Sequence, residues 1–571
     1  MKKLLNIILL ICLFVVTKAQ PYGNDWISYN KTYYKFKIGK TSLYRINYST
    51  LTSLGIPTSS LIGADFKLFR NGNEVPLYVT TNSQFANNDY IEFYGEMNDG
   101  KPDSLLYKDS NDQPTNLVSM FSDSATFFLT IDRASINARI VQQINDVVNV
   151  PIAEPYCYYT ISQSGSGFYN GLPISPFYPE LYNSDFDIGE GMNATVMTEP
   201  FFLNRLTPKY VYKNPNVNAY FSTTLILPQN TSTNAHRIRI WLNAFDTTEI
   251  SFGPRVKKAT YVVNSQNINE NNAAFSYLEE IPSQKGKNQF VEGILQYPRL
   301  FNADNQSKFN FSIKKTDEVY FEIGNFNDLS STPILYDLDN RQRYTGVKDS
   351  VLKFHLNPTV KSKENLYISS QSSSDILSVG AITQITFTDF TSFSQLGDYL
   401  IISNKKLKSS ISGVDYVEEY RKYRSSSAGG SYNAKIYYID ELTDQFGYGI
   451  PQHPLAIRNF INFAIDKFSI SPKMAFIIGK GYEYTTIAKT QANINSSLIP
   501  TYGIPASDNL LAARNAIINY PQIGVGRLAA VNGDDIKVYL DKIIEYEQKL
   551  NDTFNINQTP FNKSWMKNVL H

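Results

Sequence analysis

Cysteine is almost missing from these 571 residues, which contain only Cys12 and Cys157. Cys12 lies in the apolar N-terminal segment, so a chain processed after that segment keeps one thiol and cannot form an internal disulfide. This scarcity excludes a small scaffold held by disulfides and predicts modules that are stabilised by ordinary hydrophobic cores. The hydrophobic content of 42% and the aromatic content of 14% are sufficient for several such cores.

Strong charge of one sign is also lacking. Charged residues make up 18% of the chain and their formal sum is +1, so the sequence excludes a nucleic-acid-binding surface. Beyond the N-terminus there is no apolar run long enough to cross a bilayer. At the N-terminus, Lys2 and Lys3 precede the apolar run 4–16 and small residues at Thr17 and Ala19. This pattern predicts a secretory signal peptide over 1–19, and the short run favours cleavage over a retained signal anchor. We therefore expect an exported protein, and export without disulfides fits a bacterial cell-surface protein.

Residues 20–370 have the alternating hydrophobic pattern of β-strands, interrupted by one segment of different composition. Residues 20–145 alternate apolar and polar positions and predict a β domain, with a tight hairpin at Asn71-Gly72-Asn73. Residues 146–194 are rich in Tyr, Pro and Gly and are interpreted as a connection. Residues 195–370 predict a β-sandwich of the jelly-roll kind. The first fold class is therefore all-β modules of barrel or sandwich type.

Residues 390–571 predict a different architecture, an α/β domain with a mainly parallel sheet. Apolar residues recur at helical spacing in three segments, which begin after residue 414, after Pro454 and after residue 533. These predicted helices alternate with strand-like runs, as in βαβ units. The predicted strands are 398–403, 434–440, 473–480, 522–527 and 565–570. Because His571 follows the last of these directly, we expect the domain to continue beyond it. Catalytic residues of such sheets lie beyond the carboxyl ends of the strands.

Few side chains in this chain are good candidates for chemistry. No basic neighbour or helix start is visible that would activate Cys157, so we interpret it as a buried structural residue. The histidines form no metal-binding motif and have no partner cysteine or serine motif. These histidines are His236, His355, His453 and His571.

Two further features favour structural roles over binding. Gly479-Lys480-Gly481 lacks the full spacing of a phosphate loop and is interpreted as a sharp turn at a strand end. Asp440, Asp444 and Asp508 fall near predicted strand ends. Calcium binding by these carboxylates is left open, and solvated loop charge is favoured. No other cofactor is expected.

An ordered set of segments in the last third carries a family resemblance. The segments are 398–403, 435–446, 454–460, 475–479, 499–502, 506–508 and 525–528. In this order they resemble the front part of a gingipain-type cysteine peptidase domain of family C25, which has a caspase-like fold. The family commonly has Gly-Asp where this chain has Gly479-Lys480. The residues that match the family pattern are Asp508, Gly526 and Arg527.

The N-terminal part narrows the resemblance. The start of the chain resembles the N-terminal domain of the sortase-like peptidases of the Bacteroidetes type IX secretion system. The resemblance lies in Trp26, which precedes the predicted strand 33–38, and in the stretch 89–95. The resemblance implies a Cys–His dyad located beyond His571, so no catalytic residue is assigned here and this chain is expected to be inactive alone. It implies removal of C-terminal sorting signals from exported cargo, at the outer membrane surface or outside the cell. The implied partners are cargo, outer-membrane barrel proteins and attachment-complex proteins, without nucleic acid.

Two alternatives remain open at this level. One is a non-catalytic surface-binding or scaffold protein with a degenerate peptidase-like domain, which the Lys480 departure favours. The other is an ordinary secreted gingipain-like protease, for which a leading region of about 370 residues would be long.

Overall fold

The structure is a computed structural model that describes residues 22–551. Within that range it leaves out 176, 179–180, 199–201, 229–235, 243–244, 253–254, 283–285 and 488–490. The predicted signal peptide, the predicted strand 565–570 and His571 therefore lie outside the described residues. None of the helices in the described part combines the length and the apolar character that crossing a membrane requires.

Strands dominate the first four hundred residues, and helices are concentrated after them. The first strands are β1 (Thr32–Ile38), β2 (Ser42–Asn47), β3 (Phe66–Arg70), β4 (Asn73–Val75), β5 (Tyr78–Val79), β6 (Tyr90–Gly95), β7 (Ala125–Ile131) and β8 (Val141–Gln143). The middle strands are β9 (Cys157–Ser164), β10 (Phe168–Tyr169), β11 (Gly191–Met192), β12 (Thr195–Val196), β13 (Phe202–Leu206), β14 (Asn218–Leu227), β15 (His236–Leu242), β16 (Phe245–Phe252), β17 (Arg255–Asn264), β18 (Ala273–Glu279), β19 (Gln289–Arg299), β20 (Lys308–Ile313), β21 (Val319–Ile323), β22 (Ile334–Asp337), β23 (Gln342–Thr345), β24 (Val347–Lys348), β25 (Leu352–Leu356) and β26 (Lys363–Ser369). The last strands are β27 (Ile376–Ser378), β28 (Thr383–Thr386), β29 (Tyr399–Ser403), β30 (Ala434–Tyr438), β31 (Met474–Ile478) and β32 (Gly524–Leu528). The helices are α1 (Tyr48–Ser53), α2 (Tyr416–Ser425), α3 (Ile439–Phe446), α4 (Leu455–Lys467), α5 (Tyr484–Ile487), α6 (Gln491–Ser496) and α7 (Gly533–Asn551).

The N-terminal module is built from two small sheets that pack on one core. Their strand orders are β28-β1-β7-β3-β4 and β27-β2-β6-β5. The predicted hairpin joins β3 to β4, where Arg70 pairs with Asn73. Asn71 and Gly72 both have positive φ, which a two-residue hairpin turn of this hand requires. The strands β27 and β28 come from residues 376–386, so the module is completed by a segment far along the chain.

The middle of the chain forms one long sheet that is covered by two smaller sheets. Its main order is β17-β14-β19-β9-β20-β26-β22-β23-β8. The sheet β13-β18-β15-β16 covers one half, and β21-β25-β24 covers the other half. The predicted sandwich class is thus confirmed, and it is a double sandwich with a shared sheet. The stretch predicted as a connection contributes β9 to this sheet, because its alternating Tyr residues pair with β19.

The C-terminal part is an α/β unit with a parallel sheet, as predicted. Its order is β30-β29-β31-β32, and all three pairings are parallel. Every residue of the central strand β29 is buried, as expected for a strand covered on both faces. Asp415 caps α2 by accepting from the amides of Val417 and Glu418.

The N-terminal module is fastened to this α/β unit by polar contacts. Lys35 of β1 forms an ion pair with Asp444 of α3 at 2.6 Å. The Thr126 hydroxyl donates to the carbonyl of Gly449 at 2.7 Å. These contacts hold the β modules and the parallel sheet in one assembly.

Candidate functional site

The carboxyl ends of the four parallel strands meet at one edge of the sheet. In open α/β sheets this edge is where ligands and catalytic loops are found. The loop after β31 and the segment before β32 come together there, and the contacts of one side chain, Arg527 at the end of β32, hold them together.

The guanidinium group of Arg527 donates to five acceptor atoms. Nε and Nη2 both donate to Asp508 Oδ1, at 2.9 and 2.8 Å, and Nε also lies 3.0 Å from Oδ2. Nη1 donates to the carbonyls of Gly479 at 2.8 Å and Ile499 at 3.2 Å, and Nη2 donates to Pro500 at 2.8 Å. The Arg527 side chain is only 9% exposed, so these bonds act in a partly water-excluded setting. The planar guanidinium offers five donors in a fixed geometry, so one side chain can hold a carboxylate and three carbonyls at set positions.

The predicted turn 479–481 takes its shape from backbone hydrogen bonds. The Gly479 amide donates to Leu528 and the Lys480 amide donates to Ala530, at 2.8 and 2.9 Å. Gly479 has a φ of +147°, which favours glycine. Because both amides are engaged by the neighbouring strand end, they are not available to cradle a phosphate. The turn therefore positions the chain and is not a phosphate loop.

A buried carboxyl group lies beside the residues that follow this turn. The Tyr484 hydroxyl donates to a carboxylate oxygen of Glu190, and the Asp187 amide donates to the other oxygen at 3.0 Å. Tyr107 donates to the carbonyl of Glu190. Burial raises the pKa of Glu190 to about 8, so the carboxyl is largely protonated at neutral pH. Sequence reasoning missed Glu190, because nothing in the stretch 146–194 indicated burial.

His453 is a structural link and not part of a dyad. The Leu455 amide donates to Nδ1 at 3.2 Å, which leaves Nε2 as the donor to Asp103 Oδ1 at 3.2 Å. Both side chains are buried, and Asp103 also accepts from the Met120 amide. The pair therefore ties the start of α4 to the loop that follows the N-terminal module's strand β6.

The remaining candidates are also engaged within the fold. His236 contacts Glu279 at 3.0 Å and His355 contacts Glu318 at 2.6 Å. Cys157 is 1% exposed, its Sγ lies 3.6 Å from the Arg299 carbonyl, and burial raises the pKa of its thiol far above the usual range. In the part of the chain that the structure describes, no histidine is hydrogen-bonded to Cys157.

The three carboxylates considered for calcium each face a basic side chain. Asp440 pairs with Lys405 at 2.8 Å, Asp444 pairs with Lys35, and Asp508 pairs with Arg527. Within the described ranges there is no group of three or more His, Cys, Asp or Glu side chains that could hold a metal ion. The structure thus brings Asp508 and Arg527 together but gives Gly526 no special contact, since a Cβ there would meet only the Phe476 ring at 3.6 Å.

Comparison with known proteins bears directly on this unit. Residues 393–571 match the sequence model of peptidase family C25. The crystal structure of dimeric latent PorU from Porphyromonas gingivalis matches with a TM-score of 0.57 and 11% identity, over 94% of this chain and 52% of that chain. This chain therefore spans about half the length of that structure. No curated protein matches this chain.

Carbohydrate-binding modules are also found, but at low similarity. CBM35 from Cellvibrio japonicus Abf62 covers 25% of this chain and 96% of its own length, at 10% identity and a TM-score of 0.16. The CBM36-1 domain of a xylanase from the hindgut metagenome of Trinervitermes trinervoides covers 24% and 95%, at 12% identity and a TM-score of 0.14. These scores are too low to carry an argument. Residues 393–571 thus match peptidase family C25 by sequence, and the chain is similar in fold to the half of PorU that it covers.

Proposed function

We propose that this protein is a cell-surface cysteine endopeptidase that removes C-terminal sorting signals from cargo exported by type IX secretion. The supporting observation is the module order: β modules precede a C25 segment, and the PorU fold covers 94% of the chain. A leading region of about 370 residues would be long for an ordinary secreted protease, which favours the sortase-like role.

In this proposal the described residues form the scaffold of the enzyme. The β modules dock and present cargo, and the parallel sheet supports the catalytic loops at its carboxyl edge. A cysteine thiolate and a histidine would come from outside residues 22–551. The thiolate adds to the scissile carbonyl, and the histidine gives a proton to the departing amine of the sorting signal. The resulting thioester is then opened by water or by an amine of lipopolysaccharide, which takes the acyl group and frees the thiol.

The proposed place of action follows from the predicted signal peptide. Export through the inner membrane would bring the protein to the periplasm, and we propose the outer membrane surface as its final position. There it would meet cargo, outer-membrane barrel proteins and attachment-complex proteins.

The test is deletion of the gene in its source bacterium, followed by intact-mass measurement of exported cargo. We expect cargo to keep its C-terminal sorting signal, and we expect the wild-type gene to restore cleavage. The gene that encodes Lys537→Met, a change in the exposed pair of Lys537 with Asp541, should restore cleavage equally well. Cargo of normal, shortened mass in the deletion strain would overturn the proposal.

A second function, a non-catalytic scaffold, is favoured by Lys480. Where the family commonly has an acid, this chain places an ammonium group 4.7 Å from the Tyr482 ring centroid. The discriminating variant is a gene in which all cysteines except Cys157 are replaced by serine. Loss of cargo cleavage with normal surface abundance supports the enzyme, and full cleavage supports the scaffold.

A further inference from the structure

A cleft of about 1220 Å³ lies between the N-terminal module and the long shared sheet. One wall is the β3–β4 hairpin with Tyr94, and the other is formed by β9, β20 and β26. Its volume exceeds the roughly 300–1,000 Å³ that is usual for small-molecule sites. The space is therefore suited to a segment of a polymer.

The sheet that forms one wall of this cleft is open at its centre. β9 and β20 are paired only through Tyr158 and Ser312. Continuing this antiparallel register would place Thr160 opposite Asn310, yet these residues are not paired, and both line the cleft. In contrast, β9 pairs with β19 over eight positions on its other side. The backbone groups that face the opening are thus left without a strand partner in the described part of the chain.

The side chains along this opening are free to bind. Thr160, Gln296 and Asn310 form no side-chain hydrogen bond with the described residues, and all three line the cleft. Gln296 is the cross-strand neighbour of Thr160, and Asn310 is the neighbour of Tyr367. Because cross-strand neighbours share a face, these groups form a strip of amides and a hydroxyl beside an aromatic ring. Amide side chains can both donate to and accept from a peptide backbone.

The charges around the cleft are mixed in sign. Basic and acidic side chains both line it and neither sign prevails strongly, so a polyanion is disfavoured. The basic residues are Arg70, Lys101 and Lys308, and the acidic residues are Glu74, Glu96, Asp339 and Glu364. A chain with a neutral backbone and varied side chains matches this field best.

We propose that the cleft binds an extended polypeptide segment, which lies along the opening between β9 and β20 and takes main-chain hydrogen bonds from it. Adding a strand to unpaired edges is a common mode of peptide recognition. Only the source of the peptide, the exported cargo, rests on the proposed function. The binding itself requires no catalysis.

The test uses fluorescein-labelled, dephosphorylated casein, which is natively unfolded, as the probe and the purified chain without its signal peptide. Binding is measured by fluorescence anisotropy, and hydrogen exchange of the protein amides is followed with and without casein. We expect saturable binding and slower exchange at residues 159–161 and 308–311. Asn310→Trp and Thr160→Trp, which fill the opening from either strand, should each raise the Kd at least tenfold. Asn218→Trp, at an exposed strand position away from the cleft, should leave it within twofold.

The outcomes separate the proposals. Absence of casein binding, or binding that both tryptophan variants leave unchanged, would overturn the peptide cleft. The peptide cleft would also be overturned if xylohexaose, and not casein, slowed amide exchange at residues 159–161 and 308–311. That result would favour a saccharide site. If casein binds as expected but cargo is cleaved normally in the deletion strain, the cleft stands and the proposed function fails.

Discussion

Arg527 and Asp508, nineteen positions apart in sequence, form a two-point ion pair at the carboxyl edge of the parallel sheet. The same guanidinium also binds carbonyls of the loops after β31 and before Asp508. One side chain thus links three segments at the carboxyl edge of the parallel sheet.

Replacing this arginine should loosen the sheet edge locally. Arg527→Met leaves Asp508 and three carbonyls without their donor, and breaking a mostly buried pair costs about 3 kcal/mol. We expect amide exchange at Gly479 and Leu498 to become at least tenfold faster. The matched control is Lys537→Met, which removes an exposed pair and should change neither amide. Equal exchange in the Arg527 variant and the wild type would contradict this role.

The two glycines near this edge should differ in their tolerance of alanine. A Cβ at Gly481 would lie 2.3 Å from the Ile499 carbonyl oxygen, so the loop must move. Gly481→Ala should cost about 2 kcal/mol of stability. Gly526→Ala should be nearly neutral, because its closest contact is an ordinary 3.6 Å to Phe476. Thermal unfolding midpoints of the two variants measure the difference, and a larger loss at Gly526 would show that the family glycine has a steric role that the structure does not display.

Glu190 should make stability depend on pH. Its pKa is about 8 in the folded state, above the ordinary value near 4.5, so the folded state holds a proton that the unfolded chain releases. The contribution of Glu190 to the free energy of unfolding is therefore fully present below about pH 4.5, and it is lost as the pH rises to about 8. Glu190→Gln should remove this fall and exceed the wild type at pH 8 by on the order of 2–4 kcal/mol.

The measurement for Glu190 is the unfolding midpoint between pH 5 and 9. Glu545→Gln, at an exposed position on α7 paired with Lys549, should keep the wild-type slope. A Glu190→Gln curve parallel to that of the wild type would mean that the carboxyl is not buried in solution.

Cys157 should be inert in the folded chain. Its thiol is buried in β9 and its pKa is raised, so thiolate is scarce and reagents cannot reach it. We expect no reaction with Ellman's reagent until urea unfolds the chain, measured on protein that lacks the first nineteen residues. Rapid labelling of native protein, or peptide hydrolysis that Cys157→Ala abolishes, would refute the structural assignment.

Local sequence patterns were sufficient to predict most helices and strands, because each pattern shows which face of the element is buried. The Asn71-Gly72 hairpin, the helix after Pro454 and the parallel sheet were all predicted in this way. The strand β9 was missed, because a Tyr-rich segment becomes a strand only when β19 lies beside it. The domain boundaries and the site roles of Asp508, Gly526 and Arg527 stay predictions.

By itself the sequence determined the β modules, the α/β unit and the family resemblance, since composition and periodicity record burial along the chain. Only the tertiary structure decided that strands from residues 376–386 complete the N-terminal module and that Arg527 meets Asp508. It also decided that Glu190 is buried against Tyr484 and that β9 and β20 part to open a cleft. These relationships depend on distances between residues far apart in the chain, and such distances arise only when the modules pack.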